Sequence, residues 1–216
     1  MNSGDLFTAQ EQLEPLAIGA QAVVLRGHAL RCANALLDAI AAIEVQAPFR
    51  HMVTPGGYTM SVALTNCGEL GWCTDRRGYR YSRIDPATGQ PWPAMPAVFR
   101  QLAEGAAARA GFPGFDPDSC LINRYLPGAR LTLHQDRNER NFDAPIVSVS
   151  LGMTATFLFG GLTRTDRSAR LLLFHGDVVV WGGIDRLRYH GILPLKGHPH
   201  PILGEQRINF TFRKAG

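Results

Sequence analysis

Lysine is nearly missing. Lys196 and Lys214 are the only two in 216 residues, so almost all positive charge is arginine. Arginine's planar fork suits bidentate contacts to carboxylates and phosphates, although genome base composition explains the same bias equally well. A CxxC pair is also lacking: Cys32, Cys67, Cys73 and Cys120 are spaced for neither a zinc site nor a disulfide framework, which favours reduced, buried thiols in a cytosolic protein. No apolar run approaches membrane-spanning length. The first twenty residues carry Asp5, Glu11 and Glu14 with no basic stretch before an apolar one, so no secretory leader is expected. Repeats and low-complexity tracts are absent. What remains, 45% hydrophobic and 19% charged over 23.6 kDa, is enough for one substantial core. A single domain over residues 1–216 follows, expected to be a cytoplasmic monomer. A net charge of +4 and a pI near 9.1 permit a polyanionic partner without requiring one.

The most suggestive stretch is Asn123 to Asp136. On a strand, Leu131 and Leu133 face one way and Thr132, His134 and Asp136 the other, so an imidazole and a carboxylate converge. With a second, distant histidine they would form the two-His-one-carboxylate triad of non-haem Fe(II) oxygenases. His-x-Asp alone is weak, since a surface histidine beside a solvated aspartate is common.

Along the chain, apolar residues at Ala29, Ala33, Leu36, Leu37, Ile40 and Ile43 predict a helix that packs on a sheet. Residues 48–93 interleave Gly, Pro and aromatics with arginines. A short strand is expected over 58–64, then turns and hairpin pieces. Trp72, Tyr79 and Tyr81 beside Arg76, Arg77, Arg80 and Arg83 resemble a stacking platform for single-stranded nucleic acid; a hairpin whose aromatics cover the core is the plainer reading. Residues 96–110 predict a second helix, with Pro96 near its start and Gly111 as its stop. After it come short β-rich runs at 120–125, 130–134, 146–151, 155–159, 170–174, 177–181 and 207–212, separated by turn residues. The fold class is therefore mostly β, a jelly-roll barrel with helices buttressing one outer sheet.

The third metal ligand would be a late histidine. His175 sits in a turn, and His198 and His200 lie in a Pro-rich loop read as solvated; His190, ahead of the apolar run 192–195, is placed at a strand start and is preferred. In Arg207-Ile-Asn-Phe-Thr-Phe-Arg213, Ile208, Phe210 and Phe212 share one face while Arg207, Asn209, Thr211 and Arg213 share the other. Two buried guanidiniums need anions. No acidic cluster is evident nearby, so a small dianion that chelates iron at one end, 2-oxoglutarate, is expected to enter.

At this point the chain resembles the bacterial AlkB family of alkylation-repair dioxygenases, which use Fe(II), 2-oxoglutarate and O2 on a double-stranded β-helix. The resemblance spans nearly the whole length. It rests on Met52-Val-Thr-Pro-Gly-Gly-Tyr-Thr-Met-Ser-Val, Asn123-Arg-Tyr, His134-Gln-Asp136, Pro145-Ile-Val-Ser-Val-Ser-Leu-Gly, Gly176-Asp-Val-Val-Val-Trp-Gly-Gly, Tyr189-His-Gly and Arg-x-Asn-x-Thr-x-Arg at 207–213.

The resemblance implies that His134, Asp136 and His190 bind iron. It implies that Asn123, Arg124, Tyr125, Arg207, Asn209, Thr211 and Arg213 line the 2-oxoglutarate site, with Arg207 on the distal carboxylate. Residues 48–93 become a nucleotide-recognition lid over a dioxygenase core at 120–216, and Trp72, Tyr79, Arg80, Tyr81, Asn138 and Arg164 fall to the substrate. A flipped cationic base such as N1-methyladenine or N3-methylcytosine in single-stranded or damaged DNA would stack between Trp72 and His134, with a cation–π gain, and be demethylated with release of formaldehyde. The chain departs from the family at Asn138, where the best-known members carry an aspartate that complements the lesion's charge. Two alternatives stay open: the same chemistry on RNA or protein, and a non-catalytic barrel that binds nucleic acid.

Overall fold

The computed structural model describes residues 14–216; Asp5 and Glu11, on which the leader argument partly rests, lie outside them. No described helix is long and apolar enough to cross a membrane. The strands are β1 (Leu16–Ala17), β2 (Ala22–Leu25), β3 (Arg50–Val53), β4 (Thr59–Gly68), β5 (Gly71–Asp75), β6 (Gly78–Ser82), β7 (Ser119–Tyr125), β8 (Leu131–His134), β9 (Ile146–Gly152), β10 (Ala155–Phe159), β11 (Ala169–Leu173), β12 (Val178–Trp181), β13 (His190–Ile192) and β14 (Arg207–Arg213). Helix α1 (Ala33–Gln46) follows β2, and helix α2 (Ala97–Arg109) follows β6. A major sheet, ordered β1-β2-β12-β9-β14-β7-β4-β3, faces a minor sheet, β11-β10-β13-β8, and β5–β6 form a separate hairpin.

Alternation along β14 divides the interior into two layers. Phe210 and Phe212 point out of the barrel onto the helices, where Phe210 stacks on Phe99 of α2 at 4.9 Å and Phe212 meets the same ring edge-on at 5.8 Å. Leu36, Ile40 and Ile43 of α1 join this layer. The opposite faces of β9, β12 and β14 look into the barrel, whose apolar floor is built by Tyr125, Phe157, Phe159, Val179 and Trp181. The helices therefore buttress the major sheet, as the pattern predicts, and the polar face of β14 is committed to the barrel.

Two departures from the expected elements have local causes. Strand β4 runs on to Gly68 because its polar end is satisfied inside the fold. The Thr65 hydroxyl donates to Ala47 O at 2.6 Å, and the Asn66 amide brackets Trp72, accepting from its N–H at 3.0 Å and donating to its carbonyl at 3.1 Å. Residues that read as a turn thus fix the entry to β5 and the position of Trp72. Residues 48–93 are also less separate than a lid would be: β3 and β4 extend the major sheet, β4 pairing with β7 from Ala63↔Arg124 to Gly68↔Ser119. Strands β1, β2 and β3, too short for alternation to declare them, were not anticipated.

Candidate metal and cosubstrate site

Strand pairing assembles the site. His134 ends β8, His190 begins β13, and the two are direct antiparallel partners with rings 4.4 Å apart. Their approach needs Gly191, since a Cβ there would stand 2.8 Å from Leu131 O. Asp136 lies just past the end of β8 and closes the group. His134 Nε2 is 3.8 Å from Asp136 Oδ1, and His190 Nε2 is 3.7 Å from Asp136 Oδ2. These separations are too long for hydrogen bonds and leave room for an ion; the three ligand atoms lie within 4.8 Å of one another. Each imidazole is pre-set for a metal. His134 Nδ1 donates to Thr132 O at 2.8 Å and His190 Nδ1 to Arg188 O at 3.1 Å, the tautomers that direct both Nε2 lone pairs inward. Burial pushes His190 down to about 4, so its ring is neutral and able to ligate at neutral pH. Burial alone would raise the Asp136 carboxyl, but Arg213, aided by the histidines and Arg186, outweighs it and holds the group well below the usual carboxylate range. A carboxylate and two imidazoles on a shared open face suit Fe(II).

The cosubstrate side is rich in unanswered donors. Arg207 is 1% exposed, and among the described residues its Nη2 donates to Ser150 Oγ at 3.0 Å. Arg207 Nε and Nη1, Arg213 Nη1, the Tyr125 hydroxyl and Trp181 Nε1 are buried without hydrogen-bond partners among the described residues, as is the Asn123 carbonyl oxygen. Burial lowers the Arg207 guanidinium and pushes the Tyr125 hydroxyl up to about 12. A buried guanidinium with two idle nitrogens is costly unless an anion answers it. A dicarboxylate therefore fits.

For Arg213 the expectation needs correction. Asp136 accepts from its Nε at 2.9 Å and its Nη2 at 2.6 Å, and Glu139 lies 3.4 Å from its Nε. Compensating acids were present but came from the loop after β8. Arg124, too, is not brought to the site: as the neighbour of Asn123 and Tyr125 on β7 it faces the other way, binds Glu44 of α1 at 2.8 Å and covers Phe49. Thr211 is buried on the shared polar face, 3.4 Å from Asn209 Oδ1, while the Asn209 amide is held by Ser148 and Val149 at 2.8 Å.

Of the aromatic–arginine segment, the aromatics reach the mouth, while Arg77, Arg80 and Arg83 are engaged by acids of the hairpin and its flank. Trp72 stacks on Tyr79 at 5.6 Å, and its Nε1 points to Asn138 Oδ1 at 3.5 Å. The Tyr81 hydroxyl donates to buried Glu139 at 2.6 Å. Arg80 lies on the hairpin's other face, bound to Asp75 at 2.7 and 3.0 Å, and Arg77 and Arg83 pair with Asp75 and Glu69. Arg164 is exposed in the β10–β11 connection. His175 and His200 lie apart from the triad and stack on each other at 4.3 Å; His200 is half-buried rather than solvated. Sequence reasoning missed Glu139 and Arg186. Glu139 reads as one more charge in a polar loop, and Arg186 as part of a turn, yet Arg186 donates to Asp136 O at 2.9 Å and to Ala144 O at 3.2 Å and pairs with Glu139 at 3.3 Å.

Two histidines and an aspartate at the mouth of a double-stranded β-helix, beside a buried arginine without an anion, define a mononuclear iron oxygenase site. The family model for the 2OG-Fe(II) oxygenase superfamily matches residues 21–213. The chain is 61% identical over 213 residues to the alpha-ketoglutarate-dependent dioxygenase AlkB of Escherichia coli K12, covering 98% of each. It is 46% identical over 183 residues to an AlkB homologue of Caulobacter vibrioides, covering 84% of this chain and 81% of that one. The solved structure of OsALKBH1 superposes with a TM-score of 0.80 at 26% identity, covering 93% and 99%. The chain belongs to the 2OG-Fe(II) oxygenase superfamily and, within it, to the bacterial AlkB family. It is a 2-oxoglutarate-dependent dioxygenase that uses Fe(II) and O2.

Proposed function

We propose that this dioxygenase repairs N-alkylated bases in DNA by oxidative demethylation. The observation that carries this reading is the pairing of the His134–Asp136–His190 triad with an aromatic wall, Trp72 stacked on Tyr79, at the mouth of the same barrel. Relatives named as a DNA N(6)-methyladenine demethylase and a nucleic acid dioxygenase support the substrate class. His134, Asp136 and His190 hold the iron. Arg207, with Tyr125 and Asn123, receives the distal carboxylate of 2-oxoglutarate, and Arg213 steadies Asp136. When bound, Fe(II) with 2-oxoglutarate and O2 supplies the oxidation, yielding succinate, CO2 and a hydroxylated N-methyl group that leaves as formaldehyde. Trp72 and the His134 ring hold the flipped base between them, and burial of Arg207, Tyr125 and Trp181 keeps water from the reacting end of the barrel. Residues 48–93 serve as the lid through hairpin β5–β6. The protein acts in the cytoplasm as a monomer.

The test is formaldehyde release from a single-stranded oligonucleotide carrying N1-methyladenine, with Fe(II), 2-oxoglutarate and air, beside RNA and unmodified controls. Release with recovery of adenine by mass is expected; 2-oxoglutarate consumption without release moves the chemistry to another substrate. Asn138 shapes specificity, since it accepts a hydrogen bond but supplies no charge to a cationic lesion. Asn138→Asp is expected to raise the ratio of rates on N1-methyladenine over a neutral etheno adduct about tenfold, the effect of roughly 1.4 kcal/mol from a charge-assisted contact. An unchanged ratio would remove the charge argument.

A further inference from the structure

Glu139 is buried, its side chain 2% exposed, and the mechanism above gives it no task. Its partners come from three directions. Tyr81 of hairpin β5–β6 donates its hydroxyl to Oε1 at 2.6 Å. Arg213 of β14 approaches the same oxygen at 3.4 Å while binding Asp136 Oδ2 at 2.6 Å. Arg186 pairs with Oε2 at 3.3 Å and also donates to the Asp136 carbonyl at 2.9 Å. Two carboxylates and two guanidiniums thus form a charge-neutral cluster, in which Glu139 Oε2 and Arg213 Nη1 have no hydrogen bond among the described residues, and Asp136 and Tyr81 stand at its opposite ends. Tyr81 faces the mouth side of the hairpin with Tyr79 and Trp72, because it pairs directly with Trp72 and alternates with Arg80. Burial of its hydroxyl, which pushes its ionisation well above the usual range, keeps it a donor throughout.

We infer that Glu139 is a positioning residue that couples the metal centre to the base-facing hairpin, through Arg213 on one side and Tyr81 on the other. The physical basis is the divided allegiance of Arg213. A cation that takes up part of the Asp136 charge weakens the hold of Asp136 on Arg213, and the guanidinium is then drawn more strongly to Glu139. Glu139, held at Oε2 by Arg186 and more closely at Oε1 by Arg213, is then fixed in one position and presents Oε1 to the Tyr81 hydroxyl in a single geometry, so the link is one of ordering rather than of a stronger acceptor. Loading the metal site thereby orders the hairpin that stacks the base, and by reciprocity an ordered hairpin favours the loaded metal site. A merely structural ion-pair cluster would stabilise the protein without linking the two.

This inference rests on the assignment of Asp136 to the metal, so the experiment measures metal binding separately. Co(II) is bound without oxygen in the presence of 2-oxoglutarate and followed by its visible absorption, and backbone hydrogen exchange is measured with and without it by mass spectrometry. In the wild-type chain, exchange of amides 71–82 is expected to slow about fivefold or more on loading, while β11 amides do not change. Glu139→Gln and Tyr81→Phe are each expected to bind Co(II) yet lose most of that slowing, and the double variant to lose no more than either. Slowing of wild-type size in either variant would overturn the coupling, as would a wild-type hairpin that ignores bound Co(II). Failure of the wild type to bind Co(II) would overturn both the coupling and the metal assignment. Should Glu139→Gln fail to fold, Tyr81→Phe decides alone, since it removes one hydroxyl and leaves the ring in place.

Discussion

Asp136→Asn is expected to reduce Fe(II)-dependent succinate formation to background and to weaken metal binding by more than the roughly 10–100-fold typical of removing an outer-shell partner. The carboxylate faces both histidine Nε2 atoms, 3.7 and 3.8 Å away, and is the one anionic donor in the set. It also answers Arg213 through two hydrogen bonds. Truncation to alanine would leave that guanidinium on Glu139 alone and is expected to cost about 3–5 kcal/mol of stability. Asparagine keeps the volume and part of the bonding, so it separates lost chemistry from lost fold. His134→Ala is the companion variant. The His134 side chain is 38% exposed and, among the described residues, hydrogen-bonds the Thr132 carbonyl, so its removal should abolish turnover with little change in thermal unfolding. Succinate formation by either variant at the wild-type rate would remove it from the iron.

The barrel was legible because its strands obey period two and because β14 carries apolar and polar residues on strictly alternate positions. Phe210 and Phe212 went to the helices, and Arg207 and Asn209 to the interior, as that alternation requires. The triad was legible in part for the same reason: His134 and Asp136 share a face. The pairing of β8 with β13, which brings His190 beside His134, is a long-range contact that no local pattern announces. Glu139 was illegible for a different reason. A glutamate in a loop between charged neighbours looks solvated, and only the approach of Tyr81, Arg186 and Arg213 from distant elements encloses it. Arg124 shows the converse error. A motif carries its middle residue along, but strand alternation sends that residue to the opposite face, where Glu44 takes it. Position on the pleat is a better guide there than membership of the motif.

Arg207→Met should move stability and cosubstrate use in opposite directions. Arg207 is 1% exposed, lies over the Tyr125 ring at 5.1 Å and, among the described residues, donates to Ser150. Without 2-oxoglutarate, no carboxylate among its described contacts answers its charge, and burial lowers its ionisation accordingly. Replacing an unanswered buried charge by an apolar chain of similar length removes a desolvation penalty, so the ligand-free variant is expected to unfold at a higher temperature, by about 1–4 kcal/mol of added stability. Its 2-oxoglutarate requirement should rise steeply, since truncating one partner of a buried charge pair costs about 2–5 kcal/mol, or roughly 30- to 4000-fold. The wild-type chain should gain stability on adding 2-oxoglutarate with Co(II) in place of iron, and the variant much less. Thermal unfolding with and without the cosubstrate, beside the 2-oxoglutarate dependence of succinate formation, reads both effects on one preparation. A variant that loses stability without ligand and keeps the wild-type 2-oxoglutarate requirement would make Arg207 an ordinary structural residue and leave the distal carboxylate without a partner on β14.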